Sequence, residues 1–292
     1  MSSSMDSVYN KFLLQLKQAG SASLFEILAG SVLVLITIVA IYRKTYNDGQ
    51  APPTCDNYVL NTFLYVILGL LLIITLCMIN DKVPILPDIT KMFLKADDNI
   101  WIILLIMLVI FGLLLFFIYM TKNGDPRNVL LIHAYWGSFI YILAVLLYFL
   151  YLISRLYGVF YIGMCITAIL VVIVSYIGYT YADLIDPSYR LWLIGALIAI
   201  IAIGFVAILF VRDPIILSAI MLGITIASLV IFVLFLLIQV SIVRQNAKRC
   251  TIPNYPAESL LIIYDIFIIF KDILTLLIYG RNRKFRSIKL TR

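Results

Sequence analysis

Long runs of apolar residues, separated by short polar stretches, dominate the pattern along the chain. Eight runs approach or exceed the roughly 20 residues that an α-helix needs to cross a hydrocarbon core of about 30 Å. They cover residues 24–42, 58–79, 100–120, 129–153, 159–179, 191–211, 214–240 and 257–279. The pattern therefore predicts an all-α integral membrane protein, a polytopic bundle of about eight transmembrane helices.

The breaks between the runs contain residues that end helices. Asn-Asp-Gly-Gln-Ala-Pro-Pro occupies 47–53, Asn-Gly-Asp-Pro occupies 123–126, and an Asp-Pro pair stands at 186–187. Only Arg212 and Asp213 separate the sixth run from the seventh. We expect these two helices to form a tight antiparallel hairpin.

The runs and breaks divide the chain into four regions. These are an N-terminal tail at 1–23, a first span with its loop at 24–57, a seven-helix membrane domain at 58–280 and a basic C-terminal tail at 281–292. In the first tail, Val8, Phe12, Leu13 and Leu16 share one helical face, which is typical of an amphipathic helix at a membrane interface. A frayed tail is the alternative interpretation.

Composition excludes two other classes of protein. Hydrophobic residues make up 64% of the chain and charged residues 13%, against about 45–50% and about 25% in soluble domains. Disordered chains have the opposite balance. The net charge is +7, and six of the 22 basic residues lie in the last twelve positions. We interpret the basic tail as a contact with anionic lipid headgroups, not with nucleic acid.

Lysine and arginine are unevenly distributed between the two sides that eight spans define. The side of the termini collects 13 of them and the opposite side 8. Because cytoplasmic loops carry an excess of these residues, we expect both termini to be cytosolic.

The four cysteines have no metal-ligand spacing. Cys55 follows the first run and Cys250 follows the seventh, so eight spans place both on the side opposite the termini. On an oxidising side, a disulfide between Cys55 and Cys250 could join their two loops. The sequence also lacks a paired catalytic acid or a serine motif to accompany His133, so we expect neither an enzyme nor a bound cofactor or metal.

Ionisable side chains inside the spans are concentrated in the last run. Glu258, Asp265 and Asp272 are spaced by seven, which places them along one face of a helix. Such a stripe avoids lipid and faces the bundle interior, a water-filled cavity or a basic partner. The alternative is a satisfied polar contact between helices. The seventh run contributes Gln239 at mid-to-late depth.

Three stretches resemble the transmembrane Bax inhibitor motif family. Residues 255–270 read Tyr-Pro-Ala-Glu-Ser-Leu-Leu-Ile-Ile-Tyr-Asp-Ile-Phe-Ile-Ile-Phe and are similar to the family's last helix, Y-x-x-A-A-L-x-L-Y-L-D-I-I-N-L-F. Residues 126–137 and 158–168 are similar in layout to two further family helices. The resemblance covers about 58–279 and implies a seven-span fold; several family members conduct calcium in a pH-dependent way.

The chain departs from the family pattern at two places. Conducting members pair the last-helix aspartate, here Asp265, with a second aspartate in the preceding helix, whereas this chain has Gln239 at the matching position. A lone acid cannot share a proton as a carboxylate pair does. The run at 24–42 has no family counterpart.

Two functions follow from these observations. The resemblance implies a Bax-inhibitor-like membrane protein, a cation (calcium) leak or ion channel, or a stress and cell-death (apoptosis) modulator with altered pH gating. Its polar site would be formed by Asp265, Gln239, Glu258 and Asp272. The alternative is a non-conducting structural membrane protein that anchors or shapes a larger assembly with protein partners, such as the internal membrane of a large virus. The first places the chain in an endomembrane of the ER type, the second in a virion membrane.

Overall fold

The structure is a computed structural model. It describes residues 24–45, 54–82, 109–110, 112–113, 116–117, 120, 126–250 and 253–290. Seven helices are defined there: α1 Leu24–Thr45, α2 Tyr58–Lys82, α3 Pro126–Leu156, α4 Phe160–Thr180, α5 Tyr189–Phe210, α6 Pro214–Arg249 and α7 Tyr255–Leu290. A short 3₁₀ turn, Ala182–Leu184, lies between α4 and α5.

Six of these helices, α1 to α6, are long and apolar enough to cross a bilayer. They confirm a multi-pass, all-α membrane protein, but the count of eight spans is corrected to six candidates among the described residues. The eighth run folds as the start of α7. This helix is not among the six candidates, because it carries four charged side chains between 258 and 272, which are costly in a hydrocarbon core.

Two predictions fall partly or wholly on residues that the structure does not describe. The tail at 1–23, with its amphipathic helix, lies outside the described residues. Only seven scattered positions of the run at 100–120 are described, and all of them are helical. At the other end, α7 continues as one helix to Leu290, which includes most of the basic tail.

The first of two compact units lies within Met1–Leu156 and Cys250–Leu260 and contains α1, α2, α3 and the start of α7. Helix α2 packs against both α1 and α3. Gly30 allows a close approach of α1, because a Cβ there would lie 2.6 Å from Thr75 Oγ1 of α2. Phe139 and Leu143 of α3 are fully buried and form the core of the unit.

The second unit lies within Tyr157–Arg249 and Leu261–Arg292. Helices α4 and α5 both pack against α6. Only Gly204 and Ala207 of α5 are buried, as expected for a helix that faces lipid. The hydrogen bond from Ser228 to Asp272 and the ring contact of Phe232 with Tyr264 set α6 and α7 antiparallel, with Asp265 level with residues 231–235.

Gly178 brings α4 unusually close to α6. A Cβ at this position would lie 2.7 Å from the carbonyl oxygen of Leu237 and 3.2 Å from Cβ of Val240. Since backbone cannot move aside as a flexible side chain can, a methyl group here forces the two helices apart.

We expect Gly178→Ala to lower the free energy of unfolding by about 1–3 kcal/mol through overpacking. Gly195→Ala is the matched control, because a Cβ at Gly195 in α5 meets no atom within 4 Å, and alanine is the better helix former by about 1 kcal/mol. Thermal unfolding in detergent measures both. Equal melting temperatures for the two variants would contradict the close approach.

Helices α2 and α3 begin at the same end of the first unit. Tyr65 and His133 each lie seven residues after the first residue of their helix, and Tyr65 Oη is 2.7 Å from His133 Nε2. The Tyr65 ring also lies 5.9 Å from that of Trp136. Because the helices pack together and share this end, they run parallel. A chain that leaves α2 at one membrane face must return before α3 begins, which favours the span at 100–120; that span stays a prediction.

Cysteine accessibility tests the return crossing. Lys91→Cys and Lys122→Cys, each placed in a background lacking the free thiols Cys77 and Cys165, should react with an impermeant thiol reagent from opposite membrane faces. Lys91 and Lys122 flank the predicted span, and because a charged side chain is costly inside the hydrocarbon core, each should stay on its own side of the membrane. Labelling of both positions from one face would show that no crossing separates them.

Candidate functional site

Polar and aromatic side chains connect the N-terminal ends of α2, α3 and α7. Tyr58 Oη donates a hydrogen bond to Glu258 Oε1. Trp136 Nε1 donates to Ser259 Oγ at 3.0 Å. Glu258 lies in the first turn of α7, where the helix dipole favours a negative charge. The structure therefore places Glu258 in a contact between helices of the first unit.

Tyr255 is the centre of this network. Its ring lies 5.2 Å from that of Tyr58 and 6.3 Å from that of Tyr65. Its hydroxyl donates to the Thr54 carbonyl oxygen and lies 3.4 Å from Asn61 Nδ2. Tyr255 is 1% exposed, so one buried phenol links the loop before α2 to the start of α7.

Cys55 and Cys250 form a disulfide across the same two loops. Their Cα atoms are 5.9 Å apart, although 195 positions separate them in sequence. The bond joins the loop before α2 to the residue that directly follows the last residue of α6, so it crosslinks two parts of the chain that are distant in sequence.

Asp272 accepts a hydrogen bond on one carboxylate oxygen and forms an ion pair on the other, which has no hydrogen-bond partner among the described residues. Ser228 Oγ of α6 donates to Oδ2 at 2.7 Å, and Lys271 Nζ lies 2.7 Å from Oδ1. Asp272 is 1% exposed, whereas the Lys271 side chain is 40% exposed. The positive charge of Lys271 compensates the negative charge of the buried carboxylate. Ser228 is a partner that was not predicted from the sequence.

Asp265 and Gln239 are buried, 5% and 7% exposed, but the structure does not bring them together. In the register given above, Asp265 lies level with residues 231–235 of α6, roughly one to two helical turns from Gln239. Within the described part of the chain, Asp265 Oδ2 has no hydrogen-bond partner. Glu258 and Asp272 each also have one oxygen without a hydrogen bond in this part of the chain, but both carboxylates have another partner, so Asp265 is the least satisfied of the three acids.

A second polar arrangement, which we call the loop cradle, lies at the C-terminal end of α6. It consists of Ser241, Arg244, Gln245 and Lys248, which bind the chain between Tyr179 and Ile185. Gln245 Nε2 donates to the carbonyl oxygens of Ala182 and Ile185 at 2.7 and 3.2 Å.

The side chains of the loop cradle fix the connection between α4 and α5. The Arg244 guanidinium lies 4.8 Å from the centre of the Tyr179 ring and donates to the Thr180 carbonyl oxygen at 3.1 Å. Lys248 Nζ pairs with Asp183 Oδ1 at 2.6 Å, and this contact lowers the pKa of the Asp183 carboxyl. The sequence contains a signal for this arrangement. The four cradle residues follow one another at intervals of three, one and three positions, which places them on one face of α6.

Comparison with models of known families, with curated proteins and with solved structures gives no match. The resemblance to the Bax inhibitor motif family therefore has no independent support. Within the described ranges, no group of three histidine, cysteine or acidic side chains could hold a metal ion.

The Ser228–Asp272 hydrogen bond gives a direct test of the polar contacts. We expect Ser228→Ala to lower the free energy of unfolding by about 1–2 kcal/mol, because a buried carboxylate loses a donor. Ser138→Ala is the control, since Ser138 is exposed and bonds only to the Ala134 carbonyl oxygen of its own helix. Chemical unfolding in detergent compares them, and no difference between the two variants would contradict the role of Ser228.

Proposed function

We propose that the protein is a non-conducting, non-enzymatic membrane protein that anchors or shapes a larger membrane assembly. The observation that supports this most is the use of the acidic side chains in α7. Asp272 is neutralised by Lys271 and bonded to Ser228, and Glu258 is bonded to Tyr58. Groups of this kind hold helices together, whereas a conducting path needs acids that face water.

The disulfide and the loop contacts agree with an architectural role. Cys55–Cys250 and the Tyr255 hydroxyl brace the same two loops, and α5 presents apolar side chains over almost its whole surface. A rigid set of loops with lipid-facing helices suits a protein that positions partners at a membrane. An endomembrane of the ER type and the internal membrane of a virion both fit this role, and protein partners belong to the proposal.

A cation leak of the Bax-inhibitor type is the second candidate. It is favoured by Asp265, whose buried Oδ2 has no hydrogen-bond partner among the described residues. A carboxylate in such a position is a functional candidate by default in a membrane protein. Calcium would be the transported ion.

Calcium flux into proteoliposomes separates the two candidates. We expect the native protein to match empty liposomes between about pH 5 and pH 8, where buried carboxyl groups commonly titrate. Asp265→Asn should then change only the unfolding temperature. Asp213→Asn is the control, because this exposed carboxylate bonds the Ile215 backbone N–H at the start of α6 and asparagine caps equally well.

A native flux that depends on pH and is lost in Asp265→Asn, but not in Asp213→Asn, would contradict the architectural proposal and favour the leak. Gln239→Asp extends the test. Because Gln239 lies one to two turns from Asp265 along the helix axis, we expect this second acid to create no flux.

A further inference from the structure

The connection between α4 and α5 lies at a membrane surface. Helix α4 ends at Thr180 and α5 begins at Tyr189, and both helices are candidate spans. The eight residues between them are too few to extend far from the headgroups.

A polar cavity of about 410 Å³ opens beside this connection. Asp183 and Asp186 line it from the loop, and Gln245, Lys248 and Arg249 line it from the end of α6. Gln245 fixes the loop against the helix through two carbonyl oxygens. The cavity is therefore built from a braced loop and a helix end.

Charges of both signs line the cavity. Lys248 lowers the pKa of Asp183 through their hydrogen bond, and the Ser188 backbone N–H lowers the pKa of Asp186 at a distance of 2.9 Å. Both carboxylates are thus ionised at neutral pH and face two cations. Arg249 has no ion-pair partner in the part of the chain that the structure describes. Two acids and two bases around one cavity match a ligand that itself carries both signs.

Exposed apolar and aromatic side chains surround the same connection. Leu184 is 81% exposed and Trp192 is 79% exposed, and the rings of Tyr181 and Tyr189 are also exposed. Tryptophan and tyrosine are enriched at the level of lipid headgroups, where one end of the ring meets water and the other meets acyl chains. These side chains place the mouth of the cavity among the headgroups.

We propose that this cavity binds the headgroup of a zwitterionic phospholipid, with the phosphate at Lys248 and Arg249 and the ammonium group at Asp183 and Asp186. One of the three Lys248 N–H donors is used by Asp183, and the other two remain for phosphate oxygens. The Arg249 guanidinium can donate two parallel hydrogen bonds to the same group. The site is independent of whether the protein conducts ions.

Binding of a soluble short-chain lipid tests the site. The purified, delipidated chain in detergent is titrated with dihexanoyl-phosphatidylcholine, dihexanoyl-phosphatidylglycerol and inorganic phosphate, and the one-to-one adduct is followed by native mass spectrometry. We expect the choline lipid to bind most tightly. Arg249→Gln should bind it at least roughly tenfold more weakly, because both charge-assisted hydrogen bonds to the phosphate are lost. Arg212→Gln, an exposed arginine before α6, should leave the affinity unchanged.

A change of selectivity separates binding from folding defects. Asp186→Asn keeps an oxygen that can accept from the Ser188 backbone N–H but removes one negative charge. We expect it to bind phosphatidylcholine more weakly and phosphatidylglycerol more tightly than the native chain does. Equal native binding of phosphatidylglycerol or phosphate would overturn the proposal in favour of a plain anion site. Equal weakening in Arg212→Gln, or the absence of a choline-lipid adduct, would also overturn it.

Discussion

Inside a bilayer, a charged or hydrogen-bonding side chain has no water as a partner, so its partners must come from adjacent helices. Two of the three acids of α7 accept a hydrogen bond from an adjacent helix, whereas the third, Asp265, has an oxygen with no partner among the described residues. Asp272 is held by Ser228 and Lys271, and Glu258 accepts from Tyr58. The hydrogen bonds from Ser228 to Asp272 and from Tyr58 to Glu258 each fix the height of one helix against another, so these acids specify helix register as well as carry charge.

The helices themselves were largely predictable, because a bilayer demands about 20 apolar residues per crossing and the chain supplies them in uninterrupted runs. Six predicted runs correspond to candidate spans. In the last run, apolar length and charge content point in opposite directions. Its apolar pattern predicts a span, but its four charged residues work against one, and the helix extends well beyond the predicted end, to Leu290.

The candidate site was much less predictable, since apolar periodicity carries no information on how two helices slide along one another. The sequence predicts that Glu258 and Asp272 lie on one stripe of α7. The partner of Glu258 comes from α2, whereas those of Asp272 come from α7 itself and from α6. Tyr58 is 200 positions away from Glu258. The polar face of the loop cradle could be predicted from its helical spacing, but apart from the Asp183 carboxylate the hydrogen-bond acceptors are backbone carbonyl oxygens, which no side-chain motif reveals.

The disulfide also has a consequence for biosynthesis. A chain is made from its N-terminus, and Cys55 emerges 195 residues before Cys250. Until Cys250 has been synthesised, the Cys55 thiol is available for exchange with other thiols and disulfides. The bond can close only after α2 to α6 have been synthesised, so its presence distinguishes completed chains from truncated or stalled ones.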